Sequence, residues 1–160
     1  MATFETKLFG NVILDSEKLI TFSQGIVGFP DLKEFLLICD SESKDGGGIQ
    51  WLQSVGEPAF AIPVMDPSIV KPDYNPTIED EYLKTLGEFE EDDLLVLTTV
   101  TVPRAIEDMS INLMAPIIIN IKTKKATQII VENPDYEVKF KIYKILKENK
   151  ERFEKEKAGE

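Results

Sequence analysis

Histidine is absent and cysteine occurs once. Without an imidazole there is no Ser–His or Cys–His pair to activate a nucleophile, and no histidine-built metal site. The lone Cys39 cannot close an intramolecular disulfide or form a thiolate zinc site. It ends the apolar run Phe35-Leu36-Leu37-Ile38-Cys39 and reads as a buried structural thiol. A single reduced cysteine suits a cytosolic protein. No apolar stretch reaches the roughly 18 residues of a membrane span. Met1-Ala2-Thr3-Phe4-Glu5 has neither the basic nor the apolar region of a secretory leader. The motifs G-x-x-x-x-G-K-[ST], G-x-G-x-x-G and G-x-S-x-G are also missing. The triplet Gly46-Gly47-Gly48 lacks the Lys-Ser/Thr that completes a phosphate loop, so it reads as a flexible connection. Basic residues are few: 18 against 29 acidic ones, a net charge of −11. Such a surface repels phosphate, which argues against nucleic acid as a direct ligand. A basic partner, or simple solubility, gives the charge its meaning.

What is present fits one domain. A chain of 160 residues can bury about 70% of the surface its unfolded form exposes, so it needs no staples. Short β-type runs recur between turn residues: 3–8, 12–14, 19–22, 35–39, 49–55, 60–65, 94–102, 111–114, 116–121 and 126–132. This spacing predicts a mainly β fold, a small antiparallel β-barrel-like domain. Pro63 inside its run predicts an edge strand or a bulge, because proline cannot donate to a ladder. Lys122-Thr123-Lys124-Lys125 predicts a hairpin turn. Thr77–Leu86 predicts one short internal helix, with Thr77 as N-cap, Asp80 in a capping-box position, a stripe of Ile78, Tyr82 and Leu86, and Gly87 as the stop.

The end of the chain changes period. Val138, Phe140 and Ile142 alternate like a last strand. Ile142, Ile145, Leu146 and Phe153, with Asn149 between, then fall on one helical stripe. The boundaries expected are a β domain over residues 1–137 and a C-terminal amphipathic helix and tail over 138–160. Charge divides nearby. Residues 1–121 hold 7 basic and 21 acidic groups, net −14, and residues 122–160 hold 11 and 8, net +3.

Several residues invite a functional reading beside a structural one. Glu88-Phe89-Glu90-Glu91-Asp92-Asp93 is either a solvated loop or an acidic patch for a basic protein partner. It lacks the spacing of a calcium loop, so no metal is expected there. Trp51 with Gln53 is either core or an aromatic anchor at an interface. Asp73 and Tyr74, between Pro72 and Pro76, and Phe29, after two glycines, divide the same way between packing and contact. Phe4, Leu97 and Ile118 are expected in the core. Asn112 and Asn120 either satisfy loop backbone groups or touch a partner. No pair among the acids is singled out as a general acid and base, so a carboxylate-dependent hydrolase is a remote alternative. A β-barrel module with an unrelated basic partner is another.

The chain resembles the flagellar assembly factor FliW family. The resemblance covers roughly residues 3–136 and is carried by the order of its pieces. These are Phe22-x-x-Gly25-x-x-Gly28-Phe29, Trp51-Leu52-Gln53-Ser54, Asp66-Pro67 and Pro72-Asp73-Tyr74. They continue with Val100-Thr101-Val102-Pro103, Met109, Asn112-Leu113-x-Ala115-Pro116-Ile117, Asn120, Gln128 and Tyr136. The resemblance implies a non-enzymatic, cofactor-free protein of the bacterial cytoplasm. It implies two partners, flagellin and CsrA, a small basic dimeric regulator that represses flagellin translation. When flagellin is exported, the freed factor takes up CsrA and lifts the repression. At family-like positions the expected contact residues are Phe29, Trp51, Gln53, Asp73, Tyr74, Glu88, Glu90, Glu91, Asp92 and Asp93. The resemblance also implies a domain that ends soon after Tyr136, leaving the terminal helix without an inherited role: it either packs on the barrel or mediates self-association.

Overall fold

A computed structural model describes residues 3–7, 10–13, 18–26, 28–39, 49–76, 78–131 and 136–158. The strands are β1 (Thr3–Thr6), β2 (Gly10–Ile13), β3 (Leu19–Phe22), β4 (Glu34–Cys39), β5 (Gln50–Ser54), β6 (Ala61–Met65), β7 (Leu94–Thr101), β8 (Ser110–Ile111), β9 (Ile117–Asn120), β10 (Lys125–Gln128) and β11 (Phe140–Lys141). The helices are α1 (Asp80–Leu83) and α2 (Tyr143–Ala158).

Seven strands close into a barrel. β3, β4, β5, β6, β7, β9 and β10 pair antiparallel in that order, and β10 returns to β3. The closing pair is parallel: Lys125 lies beside Thr21 and Ala126 beside Phe22. Closure gives each of the seven strands a neighbour on both sides, although the β6–β7 ladder covers only two residue pairs. β1 and β2 form a separate antiparallel hairpin, and β8 and β11 extend the sheet from the far end of β7.

Alternation decides which side chains fill the barrel. Ile20 and Phe22, Phe35, Leu52, Val64, Leu97, Ile117 and Ile119, and Ala126 point inward and are buried together. Each large apolar group contributes about 1.5–3 kcal/mol when fully buried. Phe22 and Phe35 meet edge to face, with ring centroids 5.3 Å apart. Leu97 and Ile118 are both fully buried, as expected, but on opposite sides of the wall. Ile118 points outward and joins Leu86, Ile129 and Val131 under the α1 segment.

A third cluster, Met65, Val70, Val100, Met109, Ile111, Leu113 and Ile142, lies outside the barrel. Tyr74, Tyr136, Phe140 and the first turns of α2 cover it. Tyr143, Ile145 and Leu146 pack there, and the Asn149 Nδ2 donates to Ile69 O (3.3 Å). The start of the terminal helix is therefore part of the fold rather than a free tail.

Several local expectations need correction. The internal helix begins at Asp80, with Glu79 as an N-cap that makes no side-chain bond, and tightens to a 3-10 turn over Lys84–Leu86. Tyr82 is exposed at 42%, while Leu83 and Leu86 face the core. A helix this short cannot hold the stripe of a longer one. Gly87 does end it, at φ +82°. Residues 112–114 turn instead of extending β8, because Asn112 Oδ1 accepts the Met114 N–H (3.0 Å) and folds the chain on itself. Val138 is exposed in a turn, so the last strand keeps only Phe140–Lys141. The β9–β10 turn runs over 121–124, one residue earlier than expected, with Lys124 at φ +63°. Pro63 sits on no edge: it lies within β6, opposite Trp51, and its missing N–H falls where the β6–β7 ladder stops. The Thr77 cap, the glycine triplet, and the side chains of Phe4, Cys39 and Phe153 lie outside the described residues.

Gly25 has two reasons to be glycine. Its φ is +70°, and a Cβ there would stand 2.6 Å from Phe29 O and from Pro30 Cα and O. Gly28, at φ +89°, opens to free space. Gly28→Ala should therefore cost about 1–2 kcal/mol for the left-handed backbone alone. Gly25→Ala should cost more than about 3 kcal/mol, because backbone must also move. Urea denaturation of both variants checks the order, and equal midpoints would contradict it.

Tyr74 supplies a pH-dependent term. Its hydroxyl donates to Leu113 O (2.6 Å), and its ring lies 4.7 Å from that of Tyr136. Burial first, and the neighbouring Tyr136 phenol second, hold its pKa above the ordinary value near 10. The neutral phenol is favoured in the fold, so the unfolded chain ionises first. This stability is fully present below about pH 10 and is lost as pH rises beyond it. Tyr74→Phe should lose about 1 kcal/mol at neutral pH and show a shallower alkaline decline. Denaturation midpoints measured from neutral to alkaline pH check this. An unchanged decline in the variant would place the effect elsewhere.

Candidate partner-binding surface

The acidic segment joins the α1 region to β7 and is fastened at both ends. Asn120, fully buried at the end of β9, is the main fastener. Its Nδ2 donates to Leu86 O (2.9 Å) and Glu88 O (3.1 Å), and its Oδ1 accepts the N–H groups of Lys122 (2.9 Å) and Thr123 (3.3 Å). The Thr123 hydroxyl adds a bond to Leu86 O (2.7 Å). At the other end, Asp93 Oδ2 accepts the Glu90 N–H (2.9 Å), and Asp93 O accepts the Ile121 N–H (2.9 Å). The backbone carrying the acids is therefore held against the β9–β10 turn, with Glu88, Glu90 and Asp92 left exposed.

Glu88, Glu90 and Asp92 are exposed, and Asp93 is half-buried with its carboxylate in use. The Glu91 side chain lies outside what is described. A groove of about 780 Å³ opens beside the segment. It is lined by Asp80, Leu83, Lys84, Gly87, Glu88, Phe89, Glu90 and Lys122. Phe89, half-buried between Glu88 and Glu90, adds an apolar surface to a lining that is otherwise largely charged. Sequence reasoning passed over Phe89; an apolar residue between Glu88 and Glu90 was the available signal. Among the described residues, no three acidic or thiol side chains are gathered as a metal site requires.

The remaining sequence-predicted contact residues divide. Phe29 is 46% exposed on the Gly25–Pro30 turn, with its ring 4.6 Å from that of Phe60. Trp51 is half-buried on β5, opposite Ile38 and Pro63. Asp73 is exposed and pairs with Lys71 at 3.4 Å. Gln53 is a correction, whereas Tyr74 stays half-buried. Gln53 is fully buried, and its Nε2 donates to Ser54 O (3.0 Å), Pro58 O (3.0 Å) and Phe60 O (3.2 Å). That amide holds the β5–β6 connection and cannot reach a partner. Tyr74 spends its hydroxyl on Leu113 and its ring on Tyr136, and Tyr136 in turn accepts the Asn75 N–H (2.8 Å). Tyr74 helps cover the third cluster and also lines a groove beside Pro67 and Val96. Asn112 and Asn120 likewise satisfy backbone groups. The groove draws on Glu88 and Glu90 but on none of Phe29, Trp51, Gln53, Asp73 or Tyr74, so the expected residues do not form one site.

The FliW protein family matches residues 3–142, ending one residue before α2. A flagellar assembly factor FliW from Lachnospira eligens is 45% identical, covering 89% of this chain and 95% of the relative. One from Pseudothermotoga lettingae is 38% identical and covers 98% of this chain and 97% of the relative. The α2 region is therefore shared with that relative rather than peculiar to this chain. A crystal structure of the flagellar assembly factor FliW superposes with a TM-score of 0.81 at 30% identity, covering 89% of this chain and 97% of the other. The pattern running from β1 to the start of α2, and the same barrel in a solved structure, lead to one conclusion: this chain belongs to the FliW family of flagellar assembly factors.

Proposed function

We propose that the protein works by occupancy, as a non-enzymatic antagonist in the bacterial cytoplasm that binds the translational regulator CsrA and, alternatively, flagellin. The observation that carries this reading is the exposed acidic segment, with Glu88, Glu90 and Asp92 displayed on backbone held by Asn120. It belongs to a region whose net charge is −14 over residues 1–121. A small basic RNA-binding protein is its electrostatic complement. Once bound, the acidic face places negative potential near the RNA-binding surface of the regulator and disfavours phosphate there. Screening acts over about 8 Å at physiological salt, so the effect requires the acids to sit close to the RNA path. Flagellin competes for the factor until it is exported, and the freed factor then relieves repression of flagellin translation. Phe29 and Trp51 serve as apolar contacts outside the acidic segment.

Reversing Glu88, Glu90 and Asp92 together to Lys tests the electrostatic step. Displacement of a flagellin leader RNA from CsrA should weaken by about tenfold or more, and its dependence on salt should flatten. The reversed side chains are exposed, so the melting temperature should change little. Undiminished RNA displacement by the folded variant would refute the electrostatic step.

A further inference from the structure

The β6–β7 ladder spans only two residue pairs, and its geometry leaves part of β7 open. Hydrogen-bonded and non-bonded pairs alternate along an antiparallel ladder. The Ile121 N–H donates to Asp93 O, so Leu95 and Leu97 share that parity and bond to β9. Leu94 and Val96 therefore turn their N–H and C=O groups the other way. The Ser54 N–H donates to Phe60 O (2.9 Å), which by the same rule turns Pro63 and Met65 toward β7. Met65 and Thr98 form the bonded pair, and in the same register Pro63 would meet Val100 and Pro67 would meet Val96. Neither proline has an N–H to give. The Pro67 carbonyl is already taken by the N–H groups of Val70 (3.1 Å) and Lys71 (2.8 Å). Among the described residues, the β6–β7 ladder stops short of Val96 and no backbone bond outside the ladders reaches it.

A groove of about 340 Å³ lies along this open stretch. Pro67, Pro76, Ile78, Leu94 and Val96 give it apolar walls, and Asp66 is the one charged residue of its lining among the described residues. The Asp66 carboxylate accepts the Ser68 N–H (2.9 Å) and hydroxyl (2.7 Å) through Oδ1, and no bond to Oδ2 is found among the described residues.

We propose that this groove receives an extended, cationic peptide segment of a protein partner, which adds to β7 as a short strand. Its backbone bonds to the N–H and C=O of Val96, and a Lys or Arg side chain meets Asp66. Backbone pairing supplies the docking geometry, and the apolar walls and the carboxylate supply selectivity. The proposal rests on the reading that the chain acts by holding protein partners, and adds the mode in which one of them is held.

Overlapping synthetic peptides covering CsrA and flagellin of the same organism, titrated into the full isotope-labelled chain, provide the test. A Lys- or Arg-bearing peptide should shift the Leu94 and Val96 amides and slow exchange of the Val96 amide by about tenfold. N-methylation of the peptide residue opposite Val96 should abolish binding, while N-methylation of its neighbour should not. Asp66→Asn keeps the acceptor for Ser68 and should weaken binding severalfold. Binding of full-length CsrA or flagellin with no peptide perturbing Val96 overturns the groove and leaves the proposed function standing. Failure of both full-length partners to bind overturns both. Protection of Val96 that rises with protein concentration alone overturns the proposal in favour of pairing between copies of this chain.

Discussion

The side-chain amide of Asn120 is the interaction on which both the barrel and its acidic face depend. It fixes the 121–124 turn, and Lys124 at the end of that turn accepts the Thr21 N–H (2.9 Å), the bond that leads into the parallel closure of β10 on β3. Its other end holds Leu86 O and Glu88 O, and so fastens the acidic segment to the same hairpin. Each such bond adds only about 1 kcal/mol when made, but a buried group left without one costs about 1–3 kcal/mol. One buried amide serving four backbone groups is therefore hard to replace. It ties the shape of a candidate binding surface to the integrity of the core.

Much of the fold was readable because alternation is a local signal. Leu19–Phe22 and Leu94–Thr101 announce their strands through residues that later face the barrel interior or its outer wall. The Ile142, Ile145 and Leu146 stripe likewise announces α2. The parallel closure was not readable, because Thr21 and Lys125 lie far apart in the chain and no local pattern joins them. Pro63 was misjudged for a related reason. A proline excludes one hydrogen bond, and whether that places it on an edge depends on where the neighbouring ladder already stops.

The candidate site was legible in its charge and not in its polar residues. Glu88, Glu90 and Asp92 are exposed, as ionised carboxylates are unless a partner compensates their burial. Gln53 and Tyr74 look equally polar in sequence, yet each is bound to backbone carbonyls: Gln53 to Pro58 and Phe60 across a turn, and Tyr74 to Leu113. Neutral polar groups can be satisfied inside a fold, so their presence in a loop-like segment says little about exposure. The proline pair at 63 and 67 carries the converse lesson. Two residues that donate nothing shorten a ladder, and the shortened ladder leaves the open edge proposed as a peptide slot.

The proposed mechanism joins these features into a protein that acts by what it covers. An acidic face held in place by Asn120 opposes phosphate near a basic regulator, and an open strand edge offers that regulator or flagellin a place to dock. Calorimetric titration of the full chain with purified CsrA from the same organism, at low and at high salt, tests the central claim most directly. The expected result is a saturable complex whose affinity falls as salt rises. Absence of a complex at both salt concentrations would contradict it.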